Sequence, residues 1–246
     1  MELFELKNKI YESFTGDKDD LQEALNAIKE DQAVFPFNEY EFLMFKLLET
    51  GGLTYQQYVE MRTEYLAKNP NLKLFEISAP RSFGEKWAQE YLDSLCFDLK
   101  KPSKKLDSSY EGQYDRWFDG IKVEVKASRA VDSKSKEPLY MKALSRDTHK
   151  PFNMNFQQLK PQCCDVFSWV AVFRDQIVIW VMSSNEVKNN DLYSEGQHRG
   201  NAGNEGRLHV NQDNIHLFND FELGNLDLGQ LIKDAAMRQQ QDKSEI

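Results

Sequence analysis

The segment from Tyr114 to Lys126 constrains this chain most, because it specifies a hairpin and its register together. Asp119-Gly120 suits a two-residue turn whose central positions both need positive φ. That turn pairs Phe118 with Ile121, Trp117 with Lys122, Arg116 with Val123 and Asp115 with Glu124. Directly opposed residues on antiparallel strands share a face, with Cβ atoms roughly 5 Å apart. Strand alternation brings Lys126 back to the face of Glu124. Two carboxylates pressed together repel, and a fold holds them so chiefly around a cation. The hairpin therefore reads as a metal site with a lysine beside it. An acidic residue followed two positions on by Lys is weak on its own, since it recurs at Glu5, Asp98, Asp132 and Glu186. Only the Glu124 copy lies on a β-rich run (Ile121, Val123, Val125) with an aspartate opposite it across a tight turn. The competing reading is a solvent-facing strand with a surface ion pair. Against it, the other face would hold Arg116, Val123 and Val125, which is only partly a core face.

Composition sets the frame around that hairpin. A chain of 246 residues can bury a substantial core in one large or two small domains. The apolar run from Val166 to Met182 is interrupted by Arg174 and Asp175, so no membrane span is expected. The N-terminus lacks the basic, apolar, then small-residue pattern of an export signal. Three cysteines, with Cys163 and Cys164 adjacent, form neither a disulfide framework nor a zinc pattern. Both of that pair read as core residues, and a cytoplasmic protein with reduced thiols is expected. The net charge of −9 opposes a nucleic-acid partner at first sight. Its distribution points the other way: residues 1–60 carry 13 acidic and 5 basic side chains, residues 120–160 carry 4 acidic and 9 basic. A phosphate backbone responds to the local field rather than to the total.

The first eighty residues read as helices. Leu21, Leu25 and Ile28 follow an acidic start, Tyr40 to Leu48 runs into Gly51-Gly52, and Thr54 caps a helix that Asn69-Pro70 ends. The last two could make a helix-turn-helix, although Arg62 and Lys68 are few cations for reading DNA. Ser82 is expected to cap a helix from Phe83 to about Leu95, with Glu85 at the capping-box position. Ser128 to Lys150 reads as loop with a short helix. Asn155 to Lys160 reads as a helix, carrying Gln157 and Gln158, stopped by Pro161. Val166–Phe173 and Ile177–Met182 read as central strands of a mixed sheet. Ser184 is a candidate cap for a short helix, Leu208–Val210 a strand, and the residues from Lys233 a polar, helix-prone tail that frays.

Asp115, then Glu124-Val125-Lys126 on the next strand, resembles the PD-(D/E)XK nuclease superfamily. The stretch from about Phe83 to about Asn214 resembles a type II restriction endonuclease of that superfamily. Supporting pieces are Phe83 to Ala88, Glu124 to Arg129, Asn155 to Pro161 and Gln197 to Asn201. Tyr114 stands where the pattern has proline, a departure that does not touch the chemistry. The resemblance implies an α/β (α+β) fold with a restriction-endonuclease-like mixed central sheet flanked by helices. It places a helical region at residues 1–80 and the endonuclease core at 81–246.

It also implies hydrolysis of double-stranded DNA to 5′-phosphate and 3′-hydroxyl ends, with Mg²⁺ as cofactor. Asp115 and Glu124 are the expected ligands, and the Val125 carbonyl a third. Lys126 orients the attacking water or stabilises developing charge. The electrostatic role is the firmer one, because two carboxylates keep a proton on the ammonium. Glu85 supports the metal or a metal-bound water, or serves only as a cap. Gln197, His198, Arg199, Asn201, Asn204 and Arg207 offer base-reading and phosphate-binding groups on a glycine-containing loop. Arg129, Gln158 and Lys160 are further DNA-contact candidates, as are Lys134, Lys136 and Lys142. Cutting at symmetric sites implies a homodimer, with the acidic helical region as its contact. A structure-selective repair nuclease would use the same hairpin, and a non-catalytic DNA-binding module is the reading from another class.

Overall fold

Asp119 and Gly120 both take positive φ, 47° and 88°, and close the hairpin between β1 (Arg116–Phe118) and β2 (Ile121–Arg129). The computed structural model describes residues 11–12, 14–27, 39–196 and 205–244, and Arg116↔Val123, Trp117↔Lys122 and Phe118↔Ile121 pair in it as expected. β2 then runs parallel to β4 (Val166–Val172), which is antiparallel to β5 (Ile177–Ser183). The order β1-β2-β4-β5 makes a mixed four-stranded sheet. A second, antiparallel sheet has the order β3-β7-β6, from β3 (Asn153–Leu159), β6 (Tyr193–Glu195) and β7 (Gly206–Asn211). The fold is thus α+β.

A parallel pair needs a long crossover. Here the chain from β2 to β4 passes through β3, and this lays the second sheet against one face of the first. Phe167, Trp169 and Ala171 of β4 pack on that face with Met154, Phe156, Leu208 and Val210. Val166, Val170 and Val172 face the other way and join Val123, Val125, Leu92, Leu228 and Ile232 under the helices. Every residue of β4 is buried, which explains its unbroken apolar run: a strand covered on both faces need not alternate. β5 is buried except at Ile177, which is half-buried, and lies at the sheet's edge rather than its centre.

Helices α1 (Lys18–Ala27), α2 (Glu39–Glu49) and α3 (Tyr55–Lys68) form the described part of the N-terminal region. Ile28 lies outside the described residues. Thr54 caps α3 in a reciprocal box with Gln57, and Asn69 ends it. Arg62 pairs with Glu41 of α2 at 3.0 Å and Lys68 pairs with Glu64, so both cations of the helix-turn-helix candidate are tied to acidic partners within this region. Tyr65, Leu72 and Phe75 enter the same buried cluster as Val123 and Val125, joining the helical region to the sheet.

Several local expectations are corrected. Ser82 does not cap a helix; the chain is already helical there, runs through a π-helical segment (Ser82–Ala88) and continues as α4 (Gln89–Leu95). A helix entering at Pro80 needs no N–H at its first turn, which moves the start ahead of Ser82. The stretch from Asn155 is strand as far as Leu159, not helix. A bulge at Gln158, with φ of 57°, displaces Leu159 by one position. That places buried Phe156 and Leu159 three residues apart and imitates helical spacing. Ser183, not Ser184, caps the short helix α5 (Ser184–Lys188), because Glu186 then stands three residues on to complete the box. Ser128 and Arg129 still belong to β2, and residues 130–150 form turns and isolated bridges, with no helix. The C-terminal helix α6 (Leu228–Ser244) starts before Lys233 and is anchored by buried Leu228, Ile232 and Ala235.

Candidate functional site

The two faces of β2 divide its labour. Val123 and Val125 point into the helix-side core, while Glu124 and Lys126 stand in register with Phe167 and Trp169 on the face toward the second sheet. β1 is short, so β2 outruns it and leaves an open edge at Val125. Asp115 closes that edge. Its own N–H donates to the Val123 carbonyl (3.1 Å), and its Oδ2 accepts from the Val125 N–H (2.9 Å). The Asp115–Glu124 apposition read from the sequence is therefore made by a side chain curling over the ladder's end. Within a strand the N–H and C=O of one residue leave on the same edge. The Val125 carbonyl consequently shares the edge on which Asp115 sits.

Glu124 is nearly enclosed, and its carboxylate meets the Lys126 ammonium at 2.7 Å. Burial is the largest influence on it, and with the neighbouring Asp115 carboxylate raises its pKa from the ordinary 4.5 to about 7; Lys126 opposes this incompletely. The pair opens into a cleft of about 580 Å³. One wall is Arg81, Glu85 and Gln89 with Tyr114; the other is Asn155, Gln157, Gln158 and Lys160 of β3 and its exit.

Not every residue named from the sequence enters this cleft in the expected way. Glu85 lines it, but its exposed side chain approaches Arg81 (3.8 Å). One helical turn further on, Gln89 is the group that reaches Asp115. Gln158 and Lys160 line the cleft, with Lys160 held by Glu205 at 3.0 Å. Arg207 stands opposite Gln157 across the strands, and its Nε donates to Ser194 (3.0 Å). Arg129, a phosphate-contact candidate in the sequence, makes internal contacts here. It donates to the Leu74 and Ile77 carbonyls at 2.9 and 2.8 Å and lies 4.0 Å over the Phe83 ring. A guanidinium so engaged ties the helical entry to β2. Gln197, His198, Arg199, Asn201 and Asn204 lie outside the described residues.

Two features escape a reading of the sequence alone. Gln89 and Asp93 follow Glu85 at steps of four, the spacing of one helix face, and that periodicity is the available signal. Lys100, Lys101, Lys104 and Lys105 are all exposed on the loop that precedes the hairpin. Backbone bonds of 2.9 and 2.8 Å between Lys100 and Trp117 fix this loop to β1.

Neither a family model nor a curated protein matches this chain. The donor set itself fits a hard cation: two carboxylates and a backbone carbonyl supply oxygen only, and Mg²⁺ keeps several of its waters. Among the described residues no cluster of three or more His, Cys, Asp or Glu side chains gathers. No helix among them is long and apolar enough to cross a membrane.

Proposed function

We propose that the protein is a Mg²⁺-dependent, sequence-specific endonuclease of double-stranded DNA, a restriction-type enzyme with a restriction-endonuclease-like core acting as a homodimer. The observation that carries the reading is the convergence of Asp115, Glu124 and Lys126 at one open strand edge. There, burial and a like charge make an ionised Glu124 costly until a cation joins it. Asp115, Glu124 and the Val125 carbonyl would hold Mg²⁺, which when bound supplies an activated water and neutralises charge on the phosphate. Lys126 holds a positive charge beside Glu124, placed to orient a water or steady a phosphoryl oxygen. Gln157 and Gln158 offer amides to the substrate from the opposite wall. The exposed lysines from Lys100 to Lys105 give a polyanion a cationic edge, although the whole chain is acidic.

The test is digestion of plasmid and phage DNA by the purified protein with Mg²⁺, with EDTA and Lys126→Ala as controls. Discrete fragments that vanish in both controls are expected. Absence of cleavage by a folded protein that also fails to bind Mg²⁺ would overturn the reading.

A further inference from the structure

The geometry points to Gln89 as a positioning residue: held by the Arg116–Asp93 pair, its side-chain amide fixes the Asp115 carboxylate in the orientation that receives a divalent cation. This rests on Asp115 being a metal ligand. The Gln89 Nε2 donates to Asp115 Oδ1 at 2.7 Å, while its Oε1 accepts from Arg116 Nη1 at 2.7 Å. An amide has one end that donates and one that accepts. Because Arg116 can only donate, it claims the oxygen of Gln89 and leaves the NH₂ no orientation but toward Asp115.

Arg116 is itself immobile. It is 7% exposed, forks onto both oxygens of Asp93 at 2.6 and 2.8 Å, and donates to the Asp115 carbonyl at 2.8 Å. Planar, two-point pairing of this kind sets direction as well as distance. Gln89 and Asp93 are one turn apart on α4, so a single helix face grips the strand residue next to Asp115 and then Asp115 itself. The Val125 N–H holds the other oxygen, Oδ2. Each carboxylate oxygen is thus steered by one donor and retains a lone pair. An arginine placed directly on Asp115 would instead neutralise the charge a cation needs. The uncharged amide transmits the orientation of Arg116 without its charge. Partners that orient metal-binding groups typically change metal affinity by about 10–100-fold when removed.

The test compares full-length wild type, Gln89→Leu and Gln89→Glu, with Glu90→Gln, an exposed neighbour outside the cleft, as control. Mg²⁺ alone is titrated by calorimetry. Amide exchange at the Val125 N–H is followed by NMR without metal, because that bond reports whether Asp115 stays in place. Both Gln89 variants are expected to weaken Mg²⁺ binding about 10–100-fold and to speed Val125 exchange, with Glu90→Gln unchanged in both. Wild-type affinity and exchange in the Gln89 variants would overturn the proposal. Weaker binding with unchanged Val125 exchange would also overturn it, since Gln89 would then act by a route other than holding Asp115. Faster exchange in a protein whose wild type takes up no Mg²⁺ would keep the positioning of Asp115 and remove the metal reading.

Discussion

Asp107 and Glu124 each face a lysine of β2, Asp107 at 3.1 Å from Lys122 and Glu124 at 2.7 Å from Lys126. Their electrostatic states nonetheless diverge. Asp107 is surrounded by donors: the Ser109 hydroxyl at 2.6 Å and N–H at 2.9 Å on one oxygen, the Tyr114 hydroxyl at 3.0 Å and Lys122 on the other. The Ser109 hydroxyl leads these influences, and together they hold the Asp107 carboxyl well below the usual range. Glu124 has the closer lysine but sets few donors against its burial and stands beside a second carboxylate, and its pKa moves up to about 7. What separates the two is the number of donors set against burial, not the distance to a cation. A carboxylate with its partners complete fastens a loop to the hairpin. One left short of partners at a cleft is suited to binding.

The largest expected effect separates the sites by activity. Asp115→Asn should lower the rate of DNA cleavage on the order of a thousandfold, the scale of losing a principal charge in an enclosed site. Asp107→Asn should leave the rate within a few-fold where the protein is folded, so equal losses in the two variants would dissolve the distinction. Stability should then split in opposite directions. At pH 8 without metal, Glu124→Gln is expected to raise the thermal midpoint, since it removes a charge that burial disfavours. Asp107→Asn is expected to lower it, because the donors around that position are matched to an anion.

The pH dependence sharpens the same contrast. Folded Glu124, with its raised pKa, binds a proton between pH 4.5 and about 7 that the unfolded chain releases. Its contribution to stability is complete below pH 4.5 and is lost as pH rises through about 7. Wild type should therefore lose stability relative to Glu124→Gln across that window, and parallel pH–stability curves would count against the raised pKa. Asp107 has the opposite sign, its contribution being present above the ordinary carboxylate range and lost on acidification.

A smaller effect concerns the approach of DNA. Changing Lys100, Lys101, Lys104 and Lys105 together to Gln should flatten the salt dependence of DNA binding by about 0.9 for each phosphate that these lysines neutralise. An unchanged slope would make that edge an ordinary solvated surface. The smallest effect is at the β3 bulge, where Gln158→Gly should stabilise the fold by about 1 kcal/mol by relieving a positive φ, measured by denaturant unfolding.

The hairpin was legible in the sequence because its register depends on two adjacent turn residues and a period of two, both local. The apolar runs of β4 and β5 were legible for a similar reason, burial on both faces leaving few polar interruptions. β3 was not, because one bulged residue, Gln158, changed the apparent period from strand to helix. Nor was Gln89, whose meaning depends on Arg116 and Asp115, 27 and 26 residues away. Arg129 looked like a surface cation because sequence alone does not show the Leu74 and Ile77 carbonyls that turn it inward.

The most direct test of the central claim, that a cation completes the Asp115–Glu124 pair, is thermal unfolding of wild type and Glu124→Gln at pH 8 over a Mg²⁺ titration. A ligand that binds only the folded state raises the midpoint progressively with its concentration. Mg²⁺ should raise the wild-type midpoint saturably and leave Glu124→Gln nearly unmoved. Equal shifts in both proteins, or no shift in either, would contradict the account.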